Sequence, residues 1–189
     1  MSHNFRRIRS IFYLVVIGFF SIAIGGCVND KEPDGPNLAA GDMLPEFSVV
    51  MNNGTLVSTS GLKGKTSAII FFNTGCFDCR RELPVVEKLW LAFKDSPEVE
   101  IIPISREETA EDIKSYWDEN GFTMPWSAQE NREIYSKFAA SGIPRIYISN
   151  PSGVITSVYD DFDLPSLQTL TSALIKASGQ DLDHMIPKD

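Results

Sequence analysis

The run Ser67-Ala-Ile-Ile-Phe-Phe-Asn-Thr-Gly-Cys76-Phe-Asp-Cys79-Arg-Arg-Glu82-Leu-Pro84 decides how this chain is read. Ser67 to Asn73 has the apolar character of a buried strand, and Thr74-Gly75 makes a tight turn after it. Leu83, Val86, Leu89, Trp90 and Phe93 then recur at helical spacing, so a helix follows the turn. Two cysteines three residues apart therefore stand at the mouth of a helix. Unpaired backbone N–H groups and the positive end of the helix dipole favour an anion there. A thiolate at Cys76 forms more readily in that place, and the thiolate is the species that attacks disulfides. Cys79 lies one turn further on, close enough to close an intramolecular disulfide and expel a mixed-disulfide partner.

Other uses of such a pair fit less well. A zinc site needs two more ligands, and outside the pair the chain holds only His3, His184 and Cys27, in terminal segments. A purely structural disulfide would close a very short loop and constrain the unfolded chain little. Two inert buried thiols are the remaining alternative. Cys-x-x-Cys beside a strand–helix pattern is a redox signature, and that reading leads.

The N-terminal residues read as an address. Arg6, Arg7 and Arg9 form a basic region, and Ile11 to Ile24 is an apolar run broken only by Gly18 and Ser21. That run is short for a membrane span and suits the core of a signal peptide. It ends in Ile24-Gly25-Gly26-Cys27, which resembles the lipobox of bacterial lipoproteins, in which the cysteine is lipidated and becomes the mature N-terminus. Residues 1–26 are thus expected to be removed, and Cys27 to be the lipidation site. The mature chain then has 189 less 26, or 163, residues. It keeps 14 Lys and Arg (17 less the three arginines) against 25 Asp and Glu, a net charge of −11. Such a charge argues against nucleic acid or an anionic membrane surface as partner. In an exported, oxidising setting Cys76 and Cys79 would pair unless a reductant acts on them.

Residues 27–40 are rich in Asp, Glu, Pro, Gly and Asn and read as a flexible tether. A hairpin follows, Phe47 to Met51 and Thr55 to Ser58, joined through Asn52-Asn53-Gly54. Beyond the cysteine helix, Pro84 is expected to kink that helix rather than end it, and Asp95-Ser96-Pro97 closes it. Val99 to Ile104 is a strand, and Thr109 caps a helix from Ala110 to Asn120 that stops at Gly121. Arg132 to Ala140 is expected to be helical, with Ile134, Tyr135 and Phe138 on one face. Strands Arg145–Ser149 and Val154–Tyr159 form an antiparallel hairpin across Asn150-Pro-Ser-Gly153, and Pro165 to Ala177 closes the domain as a helix. The order predicts an α/β fold with a central mixed sheet, helices on both faces and an N-terminal hairpin. The folded domain is placed at 41–178 and a polar tail at 179–189. Trp90, Trp117 and Trp126 read as core or rim residues.

From Gly41 to about Ala177 the chain resembles the thioredoxin-like, membrane-tethered bacterial thiol–disulfide oxidoreductases of the TlpA/ResA type. Four motifs carry the likeness in order: Gly41-Asp-x-x-Pro45-x-Phe47, a motif shared with peroxiredoxins; Phe71-Phe72-x-Thr74-x-Cys76-x-x-Cys79-x-x-Glu82-x-Pro84; Gly142-x-Pro144-x-x-Tyr147-Ile148; and Asn150-Pro-Ser-Gly153-x-Ile155. The resemblance implies a thioredoxin-like fold, with Cys76 as attacking thiol, Cys79 as resolving thiol and Pro144 as the cis-proline beside them. In the family that turn leaves a strand edge open for a substrate peptide. Glu82 takes the position of a glutamate that influences the cysteines and their proton transfer. The implied substrates are disulfides of exported proteins. Recharging falls to an upstream membrane thiol reductant, and no cofactor is needed beyond the Cys76–Cys79 disulfide. The implied location is the bacterial cell envelope, with the domain lipid-anchored and facing the periplasm or exterior.

Three departures stand out. Gly75 replaces the family's usual Trp, leaving the attacking sulfur without aromatic cover. Asp78, between the cysteines, is expected to offset part of the dipole's help to the thiolate, with Arg80 and Arg81 opposing it from solvent-directed positions. Arg145 replaces the usual Thr or Ser after the proline and adds a cation near the docking edge. Two other functions are weighed. A thiol peroxidase needs Pro-x-x-x-Thr-x-x-Cys, but Asn73 stands three before Cys76, and Cys76 three before Cys79, where threonine is required. A non-catalytic binding lipoprotein with an inert disulfide is the second.

Overall fold

The computed structural model describes residues 35–179. The expected signal segment 1–26, the expected lipidation site Cys27, most of the expected tether and nearly all of the expected C-terminal tail lie outside the described residues. Strand β3 (Thr66–Phe72) is buried at every position, as a strand with layers on both sides must be. It pairs in parallel with β4 (Val99–Ser105) and antiparallel with β5 (Arg145–Ser149), which pairs antiparallel with β6 (Ile155–Tyr159), in the order β4-β3-β5-β6. The mixed sheet is the one expected. The hairpin is shorter than its sequence suggests, β1 (Ser48–Val50) against β2 (Leu56–Ser58), and forms a separate two-stranded sheet.

Each sheet edge is covered at one end, which shortens the open template for pairing with other chains. Residues 41–44 lie along β6, with Gly41 N–H donating to Ile155 O and Leu44 N–H to Gly153 O. Ser127 bridges to Ile104 beside β4. Successive side chains of a strand point to opposite faces, and the aromatics of β3 follow that rule. Phe71 packs with Tyr135, Phe138 and Tyr147, while Phe72 packs on Trp117. Trp117 belongs to helix α2 (Ala110–Asn120), capped by Thr109 and ended by Gly121 in the left-handed region, as the sequence indicates. Trp117 and Trp126 are core residues and Trp90 is half-buried.

Helix α1 (Phe77–Phe93) runs unbroken through Pro84. The last helix, α3, is Leu167–Ser178 rather than Pro165–Ala177. Ser166 sets its start, because its hydroxyl accepts the Thr169 N–H, leaving Pro165 outside. The expected helix over Arg132–Ala140 is the one element that does not form. Only a single 3₁₀ turn, Tyr135–Lys137, appears there. Ser136 and Ala139 keep helix-type bonds to Arg132 O and Tyr135 O, but the N–H groups of Lys137 and Phe138 turn to Ile134 O and Tyr135 O three residues back, while Leu38 N–H and the Tyr147 hydroxyl donate to Phe138 O. Local apolar spacing was right about burial and wrong about the backbone.

Candidate active site

Parallel strands end on the same side of a sheet, so the turns after β3 and β4 meet, and the cysteines stand at that end. Cys76 is the N-cap of α1, with extended backbone at φ −82° and ψ 129°. Its N–H closes the turn by donating to Asn73 O at 3.0 Å. The side chain is half-buried, and its thiol donates to Ile143 O at 3.5 Å. Cys79, one turn later, has no exposed surface. Burial pushes its thiol far above the ordinary range, against a hydrogen bond from the Asn73 backbone; the neighbouring Cys76 adds to the rise and the Arg106 cation opposes it. The two thiols are unbonded in this structure. The site thus holds one accessible sulfur and one that only an internal reaction reaches.

Glu82 follows on the buried side of α1 at 2% exposure, three residues past Cys79. Its Oε1 has no hydrogen-bond partner, and burial lifts the carboxyl to about 7, with Arg81 pulling weakly the other way. A carboxyl so placed exchanges protons near neutrality.

The Ile143–Pro144 peptide bond is cis, and Pro144 is buried. Before it, Gly142 at φ +82° is fixed by the Tyr135 hydroxyl, which donates to its carbonyl at 2.6 Å. Arg145 does not stand free at this edge, because its Nε turns back to donate to Ser141 O at 2.9 Å. Arg80 is likewise not simply solvent-directed. Its Nε donates to the Thr74 carbonyl, and its guanidinium lies over the Tyr116 ring at 5.5 Å. Arg81 is exposed and pairs with Asp78 at 3.3 Å. Phe77, between the cysteines, is 73% exposed.

Sequence reasoning missed the loop that faces the cysteine turn. Arg106, Glu107 and Glu108 carry no motif in the sequence, yet Glu108 is buried and accepts both the backbone N–H and the hydroxyl of Thr74. Arg106 stacks on the Tyr135 ring at 5.0 Å, with Arg132 at 5.3 Å from the same ring. The available signal was positional: this turn follows β4, the parallel neighbour of the strand that carries the cysteines, and α/β sites gather at such strand ends.

Among the described residues no helix is long and apolar enough to cross a membrane. Comparison with known proteins agrees with the site. The thiol-disulfide oxidoreductase ResA of Bacillus thuringiensis is 24% identical over 155 residues, covering 79% of this chain and 87% of that protein. ResA of Oceanobacillus iheyensis is 26% identical over 154 residues, covering 79% and 78%. The crystal structure of a thiol:disulfide interchange protein of the thioredoxin family from Chlorobium tepidum superposes with a TM-score of 0.63 at 25% identity, covering 74% of this chain and 98% of that one. The AhpC/TSA family profile matches residues 40–158, well over half the chain. This chain, with its thioredoxin-like fold and its likeness to ResA, belongs to the AhpC/TSA family.

Proposed function

We propose that this protein is a thiol–disulfide oxidoreductase that reduces disulfides of exported proteins through Cys76 and Cys79. The carrying observation is the asymmetry of the pair, a half-buried Cys76 beside Ile143 O and a fully buried Cys79 one turn on. The Cys76 thiolate attacks a substrate disulfide, breaking its S–S bond and releasing one substrate thiolate. Cys79 then gives up its proton and attacks the mixed disulfide, closing the Cys76–Cys79 bond and releasing the second substrate thiolate. Two electrons pass to the substrate, and a membrane thiol reductant must return them. In this reading Glu82 takes the Cys79 proton, a role supported by the burial of both side chains on the same helix at i, i+3. Pro144 and Ile143 form the edge on which an extended substrate segment pairs. Lipid attachment at Cys27 would hold the domain at the cell envelope, facing the periplasm or exterior.

The test is a redox titration of the full-length chain in detergent, followed by peptide-resolved alkylation. A reversible two-electron couple at or below about −250 mV supports a reductant, whereas one near about −120 mV makes the protein an oxidant. In the same protein, Cys79→Ser should trap mixed disulfides at Cys76. A pair that never cycles leaves the binding lipoprotein as the reading.

A further inference from the structure

The Arg106–Glu108 loop grips the cysteine turn at several points. Asn73 Nδ2 donates to Arg106 O at 3.0 Å and to Glu107 O at 3.4 Å. Thr74 N–H donates to the two Glu108 carboxylate oxygens at 2.9 and 3.1 Å, and the Thr74 hydroxyl donates to the same carboxylate. From the other side, Arg80 Nε donates to Thr74 O. Both backbone polar groups of Thr74, two residues before Cys76, are therefore held. Glu108 is itself anchored through its N–H, which donates to Gln129 O at 3.0 Å. Among the described residues, Glu107 is the one non-glycine at positive φ, +58°. Such backbone costs about 1–2 kcal/mol and persists only where the surroundings enforce it.

Gly75 belongs to the same arrangement. Its N–H donates to Asn73 Oδ1 at 2.8 Å, and a Cβ at position 75 would come within 3.0 Å of that oxygen. A side chain there would require the Asn73 amide to shift by a few tenths of an ångström. The loss of aromatic cover at position 75 thus goes with a turn fastened from beneath by the loop after β4.

We propose that Glu108 is a positioning residue for thiol exchange, holding the Thr74–Gly75–Cys76 turn so that the Cys76 sulfur stays within reach of Cys79. This rests on the reading of the pair as a redox couple. The equilibrium between dithiol and disulfide depends on how closely the two sulfurs are held before they bond, the same advantage that raises effective molarity in any intramolecular reaction. Releasing the turn lowers that advantage and makes the disulfide easier to reduce. The carboxylate acts here as a hydrogen-bond acceptor, a part that an amide oxygen also fills.

The experiment equilibrates the full-length chain and its variants in detergent with dithiothreitol or glutathione buffers and reads Cys76 and Cys79 by peptide-resolved alkylation. Glu108→Ala should lower the equilibrium constant for the Cys76–Cys79 disulfide by about tenfold, equal to a potential less negative by about 30 mV. Glu108→Gln should stay within about threefold of the parent. Thr74→Val, which keeps the backbone bond and loses the hydroxyl, should shift the constant by about threefold in the same direction, and it serves should Glu108→Ala not fold. Loss of thermal stability with an unchanged constant would overturn the proposal, since a merely structural contact behaves that way. A Gln variant as shifted as the Ala variant would also overturn it, because charge would then be the cause. A parent protein whose cysteines never cycle overturns both this proposal and the redox reading, and so is told apart from the other failures.

Discussion

The thiol of Cys76 lies 3.5 Å from the carbonyl oxygen of Ile143, 67 residues later in the chain. One residue begins a helix and the other precedes a cis-proline at the start of β5. They meet because β3 and β5 pair antiparallel, so the end of β3 faces the beginning of β5, with Phe71 opposite Arg145. A half-buried sulfur beside the segment that leads into β5 follows from that register.

The two thiols should react very differently with a small alkylating reagent. In the folded, reduced protein Cys76 should be modified and Cys79 should not, because Cys79 has no exposed surface and burial holds its proton firmly. Mass spectrometry of peptides after timed iodoacetamide treatment reads this directly. Equal rates at the two positions would contradict the asymmetry on which the mechanism depends.

Glu82 should make stability depend on pH. Its carboxyl is held at about 7 in the folded chain, against an ordinary 4.5. Between these values the folded state keeps a proton that the unfolded chain releases. The contribution is therefore full below pH 4.5 and lost as pH rises through 7. Glu82→Gln removes that loss, so the variant should gain on the order of 3 kcal/mol relative to the parent between pH 4.5 and pH 8, at 1.36 kcal/mol per pH unit. Paired urea titrations at the two pH values check the sign.

Phe71→Ala should be the most damaging of the simple core substitutions around the site. Its ring has no exposure and packs on Tyr135, Phe138 and Tyr147 at centroid distances of 5.3, 4.9 and 6.3 Å. Truncating a buried phenylalanine costs about 3–5 kcal/mol. A denaturant midpoint within error of the parent would refute it.

Tyr135→Phe should weaken docking more than chemistry. It removes the 2.6 Å bond from the hydroxyl to Gly142 O, next to the Ile143–Pro144 edge, and should cost about 1 kcal/mol of stability. Turnover of a disulfide peptide should show a raised KM with kcat little changed. A fall confined to kcat would place Tyr135 in the chemical step instead.

Elements whose physics is local were legible in the amino-acid order. The five-residue apolar run 68–72 had to lie in a buried strand, Cys-x-x-Cys after it had to meet a helix start, Thr109 and Gly121 bounded α2, and the turn over 150–153 joined two strands. Each depends on residues within a few positions of one another. Other features came from how distant parts of the chain pack together. Over residues 132–140 the backbone tightens into a 3₁₀ turn, with Phe138 O held by Leu38 N–H and the Tyr147 hydroxyl from outside the segment. Arg80 was laid over the Tyr116 ring of α2 as well as turned onto the Thr74 carbonyl. Glu108 came under the cysteine turn because β3 and β4 run parallel and end side by side. Periodicity reports which residues are buried, but a polar group takes whichever partner the fold brings nearest, and that partner can lie dozens of residues away.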